Sequence, residues 1–276
     1  MTWRKVLFQR GQFPDNYTPE ESFLVAIKRN QNLHKYSISQ CFHGACQVTL
    51  QICMVLSFAL AYLAIDQSTD NSNLVLCFAA TLSVLGYVSL HYQSSHLSLG
   101  LHLKNFQHVS IFLFFSFSFS PVLYKLTDTI STDTIHTTAG LMLFIHVVFH
   151  NFGLERAPVV SSDLSLNAAL FASVCLASRL KSSYDAFVLL SFSVVTFVLF
   201  PLFRLRLQGS FLVAVTLPTM ICAVLLTSHF FSVASGILAL FLFGLVLVVT
   251  PRLYLHWQGY KQTIHGPWDE AVPNFR

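Results

Sequence analysis

From Leu207 to Thr250 the chain runs 44 residues without one Asp, Glu, Lys or Arg. A helix crosses the hydrocarbon of a bilayer in about 20 residues, so this stretch is roughly twice what one crossing needs. The polar cluster of Thr227, Ser228, His229 and Ser232 divides it into two spans joined by a hairpin. Charge-free stretches long enough for one crossing each recur upstream, at Phe42–Ile65, Leu74–Tyr92, Phe106–Tyr124, Thr134–Leu154 and Ala186–Phe203. Leu164–Ser178 is also uncharged but only 15 residues long. Composition agrees: 10% of residues are charged and 54% are hydrophobic, with 27 Phe, whereas a soluble domain carries about 25% charged residues to cover its surface. The expected fold is an all-α, polytopic transmembrane bundle of about eight spans.

Loop chemistry supports these divisions. Asp66–Asn73 reads as a polar turn. Thr127–Thr134, Ser161–Ser165 and Asp185 supply hydroxyls and carboxylates where helices begin, as N-caps do. The distribution of Lys and Arg then sets orientation. With eight spans and a cytosolic N-terminus, 13 basic residues fall on the cytosolic side and only Lys125, Arg179 and Lys181 on the other. If Leu164–Ser178 did not cross, the split would drop to 10 against six. Eight spans with both termini cytosolic is the expectation. It divides the chain into an N-terminal tail over 1–40, a helical bundle over 41–253 and a C-terminal tail over 254–276.

In the N-terminal tail, Thr18-Pro19-Glu20-Glu21 is a capping box with proline at the first helical position. Phe23, Leu24 and Ile27 mark one face of a short interfacial helix, with Lys28, Arg29 and Lys35 available to lipid headgroups. No cleavable signal peptide is visible, because the first 40 residues are polar and charged. The six cysteines lie in or beside apolar runs with no CxxC pair, and read as buried free thiols.

Twelve histidines stand out in so apolar a chain. His146 and His150 are four apart and share a helical face, where they could hold a metal. His91, His96, His102 and His108 lie in or near the loop on the same side. A histidine-dependent, di-iron lipid enzyme is therefore an alternative reading, although only one HxxxH occurs and no HH pair. A transporter is disfavoured, since no ionisable Asp, Glu, Lys or Arg falls in the middle of a span. No nucleophile motif, glycine-rich phosphate loop or paired-carboxylate pattern is present, nothing calls for a cofactor, and nothing points to nucleic acid.

Four patches carry a family resemblance: Trp3–Leu7 with Phe13–Tyr17, Ser120–Ile135 (SPVLYKLTDTISTDTI), Val160–Leu180 (VSSDLSLNAALFASVCLASRL) and Ile264–Ala271 (IHGPWDEA). In this order and spacing the chain resembles, over nearly its whole length, the PIG-C family of phosphatidylinositol N-acetylglucosaminyltransferase subunits. The resemblance implies a role in the first step of glycosylphosphatidylinositol (GPI) anchor synthesis. That step transfers N-acetylglucosamine from UDP-N-acetylglucosamine to phosphatidylinositol on the cytosolic face of the endoplasmic reticulum. It also implies a multi-subunit complex in which another subunit, PIG-A, carries the chemistry.

The motif residues suggest contacts. Asp15, Asn16 and Tyr17 of the first patch and His265, Trp268, Asp269 and Glu270 of the last fall on the cytosolic side, where the two tails are candidates to dock the catalytic subunit or to lock helix ends together. Gly266-Pro267 forces a turn, and Trp268 suits a membrane interface. Ser165, Asn167 and Ser173 fall at spacings that can share a face of the short fifth span, for close packing or an inositol headgroup. Arg179 closes that span, to anchor its end or meet a lipid phosphate.

Overall fold

The computed structural model describes residues 28–30, 33, 35–92, 99–127, 129–152, 159–204, 207 and 209–265. Among them are eight helices: α1 Ile38–Gln67, α2 Thr69–Tyr92, α3 Leu99–Lys125, α4 Thr132–Phe149, α5 Val159–Ala177, α6 Ser183–Arg204, α7 Gly209–Phe230 and α8 Val233–Gln258. All except α4 and α5 are both long and apolar enough to cross a membrane. The only other regular structure described is a two-residue antiparallel pairing, β1 Lys28–Arg29 with β2 Ile264–His265. The expected helix over the N-terminal tail lies outside the described residues. Lys28 and Arg29, expected beside it, are on extended chain, held by β2 and by a turn in which Asn30 takes a positive φ of 55°, which asparagine tolerates.

The chain forms two compact units, Phe42–Pro251 and a smaller one built from both ends, Met1–Cys41 with Arg252–Arg276. In the larger unit the main core gathers Phe58 and Ile65 of α1, Ile135 and Leu143 of α4, Ala169 and Ala172 of α5, and Val188, Leu189, Phe192 and Phe197 of α6. Two satellite clusters join α1 to α7 and α8 through Leu50, Leu212 and Leu247, and through Cys53, Ala223 and Phe243. α1 contributes to all three clusters. In contrast α3 turns Phe106, Phe114, Phe115, Phe117 and Phe119 outward, the pattern of a helix solvated by lipid.

α5 is longer than its charge-free stretch suggested, because Val159–Asp163 continue the helix at its start. Nineteen residues at 1.5 Å each span about 28 Å, close to the ~30 Å hydrocarbon thickness. Its buried Ala168, Ala169, Ala172, Ser173 and Ala177 let neighbouring backbones approach closely, since small side chains remove the steric barrier to helix contact. Ser161–Ser165 therefore lie inside the helix and not at its cap. Ser131, within the expected Thr127–Thr134 stretch, accepts from Thr134 N–H. At α6 the cap is Ser182, which accepts from Asp185 N–H, so Asp185 lies in the first turn and is not itself the cap. Ser232 and Ser235 form a reciprocal box at the α7–α8 hairpin.

Two helices widen into a π turn, α6 at Val195–Leu199 and α8 at Leu245–Val249. Each lies just before a proline, Pro201 or Pro251. Proline lacks the N–H that would reach the carbonyl four residues back, and its ring crowds that carbonyl. The helix accommodates this by closing an i to i+5 bond, Phe200 N–H to Val195 O in α6 and Thr250 N–H to Leu245 O in α8. The extra residue rotates everything beyond it by about 100°, which bears on where Arg204 points. Cys46, Cys53 and Cys175 are buried as expected, whereas Cys77 and Cys222 are exposed.

A Cβ at Gly236 would fall 2.8 Å from Ser228 Cβ and 3.3 Å from Val224 O, across the α7–α8 hairpin. Gly236→Leu is expected to destabilise the protein by about 1–3 kcal/mol through overpacking, seen as a lower unfolding midpoint in detergent. Gly44→Ala, where nothing lies within 4 Å, should leave the midpoint unchanged or raise it.

Candidate functional site

Two groups of polar side chains are tied together at opposite ends of the larger unit. The first surrounds the loops after α1, α3 and α5. Lys181 forms an ion pair with Asp66 at 3.6 Å and donates to its backbone oxygen. Arg179 donates to Thr127 O and, at 2.7 Å, to Ile130 O. Asp185, only 1% exposed, accepts from Ser72 at 2.6 Å and from Ser182 at 2.7 Å. Thr127 and Ser178 share a hydrogen bond at 2.5 Å. These bonds place the ends of α1, α3 and α5 with the starts of α2, α4 and α6. Successive helices from α1 to α6 therefore run antiparallel, and α5 traverses the unit from one end to the other.

At the other end four helices converge on Arg204, the last residue of α6, which is 3% exposed. Its Nη1 donates to Gln51 Oε1 of α1 at 3.0 Å. Its Nη2 donates to His150 Nε2 at 2.6 Å and to Asn151 O at 3.2 Å, while the guanidinium lies 5.3 Å from the centre of the Phe152 ring. Gln51 Nε2 in turn lies 2.8 Å from His146 Nε2. His146 Nδ1 lies 2.9 Å from both Ser165 O and Ser165 Oγ, and Ser165 Oγ donates to His146 O at 2.9 Å.

Proton positions in this chain of bonds follow from one fact: a guanidinium donates and never accepts. Gln51 must turn its oxygen to Arg204, so its amide N–H faces His146 Nε2. That nitrogen is then the acceptor, and the proton sits on Nδ1, which donates to Ser165 O. His150 Nε2 likewise accepts and is unprotonated. An imidazole whose Nε2 accepts from a guanidinium carries at most the one proton on Nδ1, so His150 is neutral. The only formal charge in the cluster is that of Arg204.

The structure separates the sequence candidates. Ser165 belongs to this cluster. Ser173 is buried but bonds to Ala169 O in its own helix. Asn167, two residues from Ser165, is exposed on another side of α5. Arg179 is committed to the carbonyls of the α3–α4 loop at the opposite end. The His146–His150 pair does lie together, with ring centres 5.2 Å apart, but both nitrogens of His146 and Nε2 of His150 are engaged in these hydrogen bonds. For His265 the structure gives the backbone pairing to Lys28. Asp15, Asn16, Tyr17, Trp268, Asp269 and Glu270 lie outside the described residues.

Gln51 and Arg204 were not among the sequence candidates. A glutamine amide within an apolar span is itself a signal, since a buried amide needs a partner. Arg204, by contrast, reads in sequence as one more cytosolic loop cation. Only the π turn before it explains its inward aim.

The fold and this site define a helical membrane protein whose polar side chains join its helices to one another. Comparison with known proteins identifies it further. Residues 3–269 match the family model described as phosphatidylinositol N-acetylglucosaminyltransferase. The PIG-C subunit of that enzyme from Homo sapiens and from Bos taurus is 34% identical over 282 residues, covering 98% of this chain and 92% of each relative. The GPI2 subunit from Schizosaccharomyces pombe is 28% identical over 281 residues, covering 98% of this chain and 86% of the relative. The chain belongs to the PIG-C/GPI2 family of phosphatidylinositol N-acetylglucosaminyltransferase subunits. No solved structure matches it.

Arg204→Leu removes the donor for Gln51 and His150. It is expected to destabilise the fold by about 1–3 kcal/mol per acceptor left unsatisfied. A double-mutant cycle with Gln51→Leu, read by unfolding in detergent, should give a coupling energy of about 0.5–3 kcal/mol. Additive losses would mean that the two side chains do not interact.

Proposed function

We propose that this chain is a non-catalytic, lipid-presenting membrane subunit of the complex that transfers N-acetylglucosamine from UDP-N-acetylglucosamine to phosphatidylinositol, the first step of GPI-anchor synthesis. The observation that carries the reading is the closed Arg204–Gln51–His146–Ser165 relay. Its donors and acceptors are spent on one another between helices, which is what a structural lock does. A catalytic constellation must instead keep a base or nucleophile free to reach a reacting atom. The glycosyl transfer then falls to another subunit, PIG-A in the family.

Orientation follows from the same reading. The end that carries Lys181, Arg179 and Asp66 faces the lumen of the endoplasmic reticulum, and the Arg204 end and both chain termini face the cytosol. The excess of Lys and Arg on the second side supports this. Asp15, Asn16, Tyr17, His265, Trp268, Asp269 and Glu270 then present a surface for the catalytic subunit where the sugar nucleotide is available.

In cells lacking this subunit, the wild-type chain should restore formation of N-acetylglucosaminyl-phosphatidylinositol in microsomes. Gln51→Leu and His146→Leu should lower activity only in proportion to the amount of assembled complex. A loss of more than about tenfold per assembled complex would make the cluster catalytic. Glycosylation acceptor sites inserted in the Asp66–Thr69 loop should receive glycan, and sites inserted after Lys261 should not. The combined change of Trp268, Asp269 and Glu270 to Ala should reduce co-precipitation of the catalytic subunit, and undiminished recovery would remove the docking role.

A further inference from the structure

The smaller unit brings the two ends of the chain together. Gln258 clasps Tyr36 from both sides, Tyr36 N–H donating to its Oε1 at 2.7 Å and its Nε2 donating to Tyr36 O at 3.3 Å. Asn30 and Thr263 bond reciprocally, Asn30 N–H to Thr263 O at 2.8 Å and Thr263 N–H to Asn30 Oδ1 at 3.0 Å. The β1–β2 pairing closes the clasp. The charged side chains described in it are all basic. Arg29, Lys35, Arg252 and Lys261 are all exposed, and the described residues of this unit contain no Asp or Glu.

The same unit carries large exposed amphipathic rings. Trp257 is 64% exposed and Tyr260 75%, and Tyr254 is also exposed, at the end of α8. Tyr and Trp with Lys and Arg at the end of a membrane-spanning helix are the composition of a headgroup-level surface. α1 leaves this unit and α8 enters it, and both helices are long and apolar enough to cross a bilayer. The platform thus continues along the chain directly into two such helices. Cations beside a membrane-spanning segment attract anionic lipid over zwitterionic lipid.

We propose that this platform binds the anionic headgroup of phosphatidylinositol, recruited laterally from the leaflet in which the platform sits. The basic side chains meet the lipid phosphate, and the rings fix the depth at which they do so. This gives the lipid-presenting role a place, and it rests on that role only for the choice of phosphatidylinositol as the occupant. Attraction by charge itself needs only α1 and α8 to span the membrane.

The test uses the full-length chain in phosphatidylcholine bilayers, with trace spin-labelled phosphatidylinositol, phosphatidylserine or phosphatidylcholine, and electron paramagnetic resonance to measure the protein-restricted fraction of each. Phosphatidylinositol should be favoured over phosphatidylcholine by about fivefold, the order expected for one engaged basic side chain. The preference should weaken in high salt. It should fall to near unity in the combined Arg29→Gln, Lys35→Gln, Arg252→Gln and Lys261→Gln variant. If that variant fails to fold, the single changes Arg252→Gln and Lys261→Gln should each lower the preference. Lys125→Gln, at the far end of α3, should leave it intact.

A phosphatidylserine preference equal to or below that for phosphatidylinositol supports the proposal. No preference in the wild type overturns it. So does a preference that survives loss of the four charges. Because the readout is lipid selectivity of the isolated chain, it can fail while restoration of transferase activity succeeds, and the reverse.

Discussion

A guanidinium has five N–H groups and no lone pair to accept with, so burying one obliges the surrounding helices to supply acceptors. Arg204 does this to α1, to the end of α4 and to the segment that follows it. No carboxylate is among the partners described. Charge is therefore compensated by neutral oxygens, an imidazole nitrogen and an aromatic face, each contributing modestly. The cost of desolvating a cation is high in a low-dielectric interior, and only a nearly complete set of acceptors makes it tolerable. The arrangement dictates the amide orientation of Gln51, the tautomer of His146 and the neutrality of His150. Four helices are thereby held in one register.

The rest of the larger unit reads as a consequence of having polar locks at its two ends and little but apolar contact between them. Small residues on α5 let that helix sit among α4, α6 and their neighbours, where bulkier side chains would hold the backbones apart. At the far end, carbonyl groups of the α3–α4 loop are taken up by Arg179, and the carboxylate of Asp185 by two hydroxyls. In a bilayer the outward faces of α2, α3, α7 and α8 gain nothing from hiding apolar surface from water, so specificity between helices has to come from packing and from such bonds.

Much of the element map was legible because charge is so costly in hydrocarbon that its absence marks spans directly. The α7–α8 hairpin could be read this way, and the Thr127–Thr134 stretch that holds the Ser131 cap marked a helix start by its hydroxyls. α5 was underestimated, since Asp163 interrupts the charge-free run but not the helix. His146 and His150 were rightly placed on one face, yet their partners were not, because pairing between α1, α4, α5 and α6 joins residues up to 153 positions apart. The inward aim of Arg204 depends on a proline three residues earlier and the π turn it induces, a register effect invisible to hydropathy. Lys28 and Arg29 read only as headgroup-facing cations beside a helix, whereas their pairing partner lies at the opposite end of the chain.

By itself, then, the sequence determined that this is a helical membrane protein, where its apolar helices lie, and which family it belongs to. Each of these is a local or compositional property, set by how long a stretch avoids charge or by motifs contiguous in the chain. The tertiary structure alone decided that Arg204 is buried and not a loop cation, that Ser165 answers to His146 while Asn167 does not, and that the two chain ends close into a basic, aromatic platform. Those outcomes depend on which helix faces come together, and hydrogen-bond donors choose their acceptors only once packing has removed the water.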